Sequence, residues 1–120
     1  LIIKQNTMIR ISVIGRLGQD ATVNNVNEKT VINFSMAYSE KFKNQQGQEV
    51  DKTTWVSCAY WTDKTSVANY LKKGTLIYME GKPEAKTYLN DKTKETVAQL
   101  HARVTSLQLL SSNKNEETPI

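Results

Sequence analysis

One cysteine and one histidine in 120 residues remove several chemistries at once. Cys58 has no second thiol, so an internal disulfide is excluded and a reducing, cytoplasmic setting is expected. It falls on a face expected to be core and reads as a small hydrophobe rather than a nucleophile. His101 has neither another histidine nor a nearby cysteine, so no metal site is expected. A lone histidine on a strand reads as structural or merely exposed. Asp51, Asp63, Glu80 and Glu84 lie scattered, without the spacing a two-metal nuclease needs. Gly15-Arg-Leu-Gly18 is too short for a phosphate-cradling loop and lacks the following helix. No apolar run approaches the roughly 18 residues of a membrane span. The opening "LIIKQNT" is too short and too polar for a signal peptide. The expectation is therefore no enzyme, no cofactor and no membrane.

What remains fits one modest domain. Apolar residues make up 38% and the mean hydropathy is −0.53, with no surplus for a second core. The formal net charge is +4, and the excess lies in the body: residues 8–110 hold 14 basic and 10 acidic side chains. A mild positive excess permits a polyanionic partner without requiring one. Met8 reads as the functional start, which leaves residues 1–7 as an extension, a remnant of cloning or a start-site choice. Residues 8–110 form the expected domain. Residues 111–120, "SSNKNEETPI", have no periodicity and read as a short mobile tail.

Short strand-like runs dominate the body. "MIRISVIGRL" alternates Ile9, Ile11 and Val13 with Arg10 and Ser12, and "TVINFSMAYS" puts Ile32, Phe34, Met36 and Tyr38 on one face. "EKFKNQQGQEVDK" reads as a hairpin loop. "TDKTSVANYLKKG" is the one good helix candidate: Thr62 or Asp63 caps it, Val67, Tyr70 and Leu71 form its apolar stripe, and Gly74 ends it. "TLIYMEGKPEAKTYL" reads as one strand bent near Gly81 and Pro83, where a bulge turns a barrel corner. "TVAQLHARVTSLQLL" is the last strand. The class is all-β. Five strands with a helix between the third and fourth is the order of an OB-fold, a small Greek-key barrel, although periodicity alone also admits another small barrel.

Both tryptophans sit in "TTWVSCAYW". Trp55, Ser57, Ala59 and Trp61 share one face of the strand, and Val56, Cys58 and Tyr60 share the other. Large aromatics are ordinarily core, but here the opposite face already supplies core. Two indoles around a bare patch make a platform on which planar bases can stack, at about 1–3 kcal/mol per base. Phe42, flanked by Lys41 and Lys43 in the polar loop, is either pinned locally or presented to a ligand. Lys82, Lys86 and Tyr88 share a face of "KPEAKTYL", with Glu84 the dissenting charge. That pattern suits an anionic backbone with flat bases and equally suits a solvated edge. Arg10 and Arg16, on the outward side of the first strand and its turn, are weaker candidates for phosphate contact. "TLIYME" is apolar on both faces, Leu76 and Tyr78 on one, Ile77 and Met79 on the other. A small barrel buries only one of them, which calls for a homo-oligomer.

These stretches resemble the bacterial single-stranded DNA-binding protein family. "GRLGQDATV", "NFSMAYSEKFKN", "TTWVSCAYW", "VANYLKKGTLIYMEGK" and "AKTY" occur in the family's order and at close to its spacing, over nearly all of Ile9 to Leu110. The resemblance implies an OB-fold, usually assembled as a homotetramer, that coats exposed single strands during replication, recombination and repair. It also implies that the principal base-stacking aromatics are Phe42, Trp55, Trp61 and Tyr88, and that the Leu76 and Tyr78 face is the subunit contact. The best-known members carry Trp at the first and last of the four positions and Phe at the third, an exchange that keeps a π-face throughout. The family continues into a long tail with an acidic, Ile-Pro-Phe-like tip that recruits replication and repair enzymes. Glu116, Glu117, Pro119 and Ile120 are either a minimal version of that tip or simply the end of the chain. Among rivals, a primosomal accessory protein would bind single strands as a dimer, and the full set of four aromatics argues against it. An OB-fold nuclease lacks its clustered carboxylates here. A toxin subunit lacks its signal peptide and disulfide.

Overall fold

The structure is a computed structural model and describes residues 6–111. Six strands and one short helix follow in the order β1 (Ile11–Leu17), β2 (Thr22–Val26), β3 (Lys29–Lys43), β4 (Glu49–Trp61), a 3-10 helix (Thr65–Tyr70), β5 (Leu76–Leu89) and β6 (Thr96–Ser111). β1 pairs with β5, β5 with β6, β6 with β4 in parallel, β4 with β3, and β3 returns to β1. Five strands thus close a ring in Greek-key order, the OB-fold expected from the sequence. The sixth strand, β2, lies outside the ring as an edge on β3.

Alternation along each strand divides inside from outside. Ile32, Phe34 and Met36 of β3 point inward beside Val56 and Cys58 of β4, and Ile77 and Met79 of β5 are fully buried. The β1–β3 seam is narrow, with only Arg16↔Ala37 and Leu17↔Met36 in register. Gly15 permits that closure: a Cβ there would lie 2.5 Å from the Ala37 carbonyl oxygen. Between Glu80 and Gly81 the β5–β6 register shifts, as expected for a corner at this point. Thr105 falls in the shift and donates its hydroxyl to the Glu80 carbonyl at 3.2 Å.

Four local readings need correction. β2 was not legible as a strand. It pairs Thr22–Val26 with Lys29–Asn33 through a two-residue turn in which Asn27 and Glu28 both take positive φ, 49° and 67°. The hairpin loop is much shorter than "EKFKNQQGQEVDK", because β3 and β4 stay paired out to Lys43↔Glu49. The Asn44 side-chain oxygen accepts from the backbone N–H groups of Gln46 and Gln48 and holds the turn between them. The helix is a single 3-10 stretch, and its N-cap is Lys64, not Thr62 or Asp63. Thr62 instead accepts the Lys64 N–H through its hydroxyl at 3.1 Å. Tyr70 is outside the apolar stripe, 65% exposed, whereas Leu71 is fully buried and joins the core. Six residues bracketed by tertiary contacts are too few for an α-helix to gain from its own hydrogen bonds.

Candidate nucleic-acid interface

The pleat of β4 sets the site. Val56 and Cys58 are 2% and 3% exposed, while Trp55 and Trp61 remain 53% and 37% exposed with the half-buried Ser57 and Ala59 between them. Register then widens this strip into a surface. On the β3 side, Ala37 lies opposite Trp55, Ser35 opposite Ser57, Asn33 opposite Ala59 and Val31 opposite Trp61. On the other side, parallel pairing sets His101 beside Ser57 and Arg103 beside Ala59. β5 adds Glu84 across from His101, Lys82 across from Arg103, and Lys86 across from Gln99. A hollow of about 280 Å³ lies in the middle, lined by Asp20, Asn33, Ser35, Ser57, Ala59 and His101 among others.

The outer faces of β3, β4, β6 and β5 therefore carry two indoles around a small, polar centre with cations along one margin. Lys82 and Arg103 sit directly across from each other, and among the described residues neither makes an ion pair. Like charges placed opposite each other destabilise a sheet unless an anion lies between or above them. Tyr88 is half exposed further along β5, opposite Val97.

The remaining sequence candidates are distributed differently. Phe42 is not in a loop; it lies on β3 opposite Val50, half exposed, on the pleat face opposite to that of Trp55. Lys41 and Lys43 share the tryptophans' parity, but they face Asp51 and Glu49 across the ribbon, so their charge is locally offset. Arg16 donates to the Gly74 carbonyl at 2.9 Å and ties the end of β1 to the turn before β5. Arg10 pairs with Glu80 at 3.6 Å on the outer face shared by β1 and β5, where it lines a hollow together with Lys82. That second outer face also carries Ile14, Leu76 and Tyr78, in register as Ile14↔Tyr78 and Arg16↔Leu76. Tyr78 donates its hydroxyl to Glu80 at 2.6 Å. Glu116, Glu117, Pro119 and Ile120 lie outside the described residues. Arg103 and the central placement of His101 were missed by sequence reading, because only the β4–β6 register reveals them.

Cys58 is closed off from solvent, on the core face where the sequence puts it. Burial pushes the Cys58 thiol up to about 12 from 9.0, since a thiolate there would lose its hydration. At pH 8 the native protein should resist iodoacetamide over a period that fully alkylates the denatured chain. Equal rates for the two would place the thiol at the surface. The same burial sets a sign for alkaline pH. Below about 9 both states are protonated and stability is intact; it falls as pH rises from about 9 towards about 12, where only the unfolded thiol ionises. Among the described residues no group of three or more His, Cys, Asp or Glu side chains is placed to hold a metal ion.

Comparison with known proteins adds independent information. The sequence profile of the Single-strand binding protein family matches residues 8–110. A single-stranded DNA-binding protein of Neisseria meningitidis serogroup A is 38% identical over 81 residues, 66% of this chain and 47% of its own length. Single-stranded DNA-binding protein 3 of Listeria innocua is 31% identical over 111 residues, 90% of this chain and 67% of its own. The chain spans about half the length of several of the curated relatives it matches. Among solved structures, a Plasmodium falciparum SSB in complex with ssDNA superposes with a TM-score of 0.71 at 19% identity, covering 91% of this chain and all of that one. The small single-stranded DNA-binding protein of Streptomyces coelicolor gives 0.70 at 12%, covering 84% and 93%. At such identities the likeness concerns the fold.

Proposed function

The chain belongs to the Single-strand binding protein family, and from that premise we propose that it binds single-stranded DNA without regard to sequence. In this reading it coats and protects exposed strands in the cytoplasm during replication, recombination and repair. One observation carries the proposal: the outer face of β4 and its neighbours holds Trp55 and Trp61 around small residues, flanked by the cations Lys82 and Arg103, which make no ion pair among the described residues. Indoles accept any base on their π-faces, and phosphates supply the anion that the Lys82–Arg103 pair lacks. Lys86 and Tyr88 extend the track along β5, and Phe42 with Lys41 and Lys43 adds contacts at the far end of the β3–β4 ribbon, where Phe42 presents the other pleat face. Arg10 and Arg16, both already engaged with protein groups, contribute least.

The test is tryptophan fluorescence titrated with oligo-dT and with duplex DNA of equal length. Single strands should quench the signal with high affinity and duplex should bind far more weakly, because paired bases offer no free faces. Affinity for single strands should fall with salt, log K dropping roughly 0.7 per phosphate neutralised for each tenfold rise in salt. Equal affinity for the two DNA forms would remove the proposal.

A homotetramer accompanies this function. Ile14 is 55% exposed beside Leu76 and Tyr78, an apolar outer face that a second subunit would cover. Sedimentation at micromolar concentration should give a species larger than the monomer, and a monomer would exclude it. Glu116, Glu117, Pro119 and Ile120 are the segment proposed to dock replication and repair enzymes. A pull-down in which chains with and without residues 113–120 recover identical partners would exclude that role.

A further inference from the structure

Gly18 stands in the turn after β1, where its N–H donates to the Ser35 carbonyl at 3.0 Å. Its backbone does not need glycine: positive φ among the glycines is confined to Gly47 and Gly74. What makes glycine necessary is a neighbour. A Cβ on Gly18 would fall 2.6 Å from Cζ3 and 2.9 Å from Cη2 of Trp55. The benzo ring of that indole therefore lies directly against the bare α-carbon, at a distance no side chain would tolerate. Trp55 is otherwise about half exposed and has rotamer freedom to lose.

We propose that Gly18 is a positioning residue: its missing side chain forms the seat that holds the Trp55 indole in the orientation presented to a base. The seat is fixed to the barrel by the Gly18–Ser35 hydrogen bond, and Ser35 lies on the platform face opposite Ser57. A stacking ring that is already ordered loses less entropy when a base arrives. A methyl at position 18 meets the far end of a side chain rather than backbone, so the ring yields and the barrel does not. This inference rests on the single-strand reading for its binding consequence, and its structural half stands apart from that reading.

The test uses Gly18→Ala in three settings. In a Trp61→Phe background, where Trp55 is the only tryptophan and is excited selectively over the tyrosines, Gly18→Ala should shift the emission maximum and lower the anisotropy of the free protein. In the otherwise wild-type chain it should weaken oligo-dT binding by about 5- to 20-fold, within the range of losing one stacked base. In a Trp55→Ala background the same change should alter binding by less than about twofold, because there is no indole left to seat. A Trp55→Phe background, with a smaller ring, should give an intermediate cost and covers the case in which Gly18→Ala alone folds poorly. Unchanged Trp55 emission, or an equal binding loss with and without the indole, would overturn the proposal. Absence of oligo-dT binding by the wild-type chain would instead remove the function proposed above and leave the fluorescence arm to decide on the seat.

Discussion

Replacing Trp55 and Trp61 together by alanine should remove about 2–6 kcal/mol of single-strand affinity, two stacked bases at about 1–3 kcal/mol each. The two sites are six residues apart on an extended strand, about 20 Å at the strand rise, so their effects should add. Calorimetric melting separates this from loss of a core. A buried tryptophan costs about 3–5 kcal/mol of stability when truncated, enough to unfold a marginal domain. Here the rings lie outside the barrel, and the core beneath them is made by Val56 and Cys58. The single variants should also rank. Trp61 is the less exposed of the two and lies across from the buried Val31, so Trp61→Ala should lower the melting temperature more than Trp55→Ala. Near-normal binding in the double variant, with a collapsed melting temperature, would show that the indoles serve the fold.

The face on which those indoles sit was legible because pleat alternation is local. Trp55, Ser57, Ala59 and Trp61 needed only a period of two; the same period separates Ile77 and Met79 from Leu76 and Tyr78, but both pairs are apolar, and it is the barrel that turns Ile77 and Met79 inward. The corner at Gly81 was legible for a similar reason, since a glycine next but one to a proline interrupts an otherwise continuous strand. β2 was not, and its composition explains why. "TVNNV" carries two asparagines and no inward run, every residue in it is exposed, and its turn is Asn-Glu where the usual signal of such a turn is Asn-Gly. Pairing with β3, rather than propensity, makes it a strand.

The rest of the site depended on distances along the chain that no local pattern encodes. Arg103 joins Ala59 and Lys82 only through the parallel β4–β6 pairing and the antiparallel β5–β6 pairing. Arg16 looks in sequence like any outward cation, yet its guanidinium is engaged by a carbonyl 58 residues away. In sequence Phe42 reads as a loop residue because lysines and glutamines surround it. Thirteen residue pairs hold β3 and β4 together as one long ribbon, and that ribbon carries Phe42 into a strand and onto the opposite pleat face.

Gly15 and Gly18 stand three residues apart and should fail in opposite ways. At Gly15 the added Cβ would meet backbone, the Ala37 carbonyl oxygen at 2.5 Å and its carbon at 3.2 Å, with the Met36 methyl at 3.6 Å behind. Nothing there can swing aside. Gly15→Ala must push β1 from β3 at the two-pair seam that closes the ring, an overpacking cost of about 1–3 kcal/mol. For a domain of about this size, each kcal/mol lowers Tm by roughly 4–8 °C. The folded fraction of Gly15→Ala should still bind oligo-dT normally at low temperature, because position 15 points into the barrel. Gly18→Ala should keep its Tm and lose affinity. Equal melting temperatures for Gly15→Ala and wild type would mean that the ring does not close through this seam, and the barrel would have to be redrawn as an open sheet.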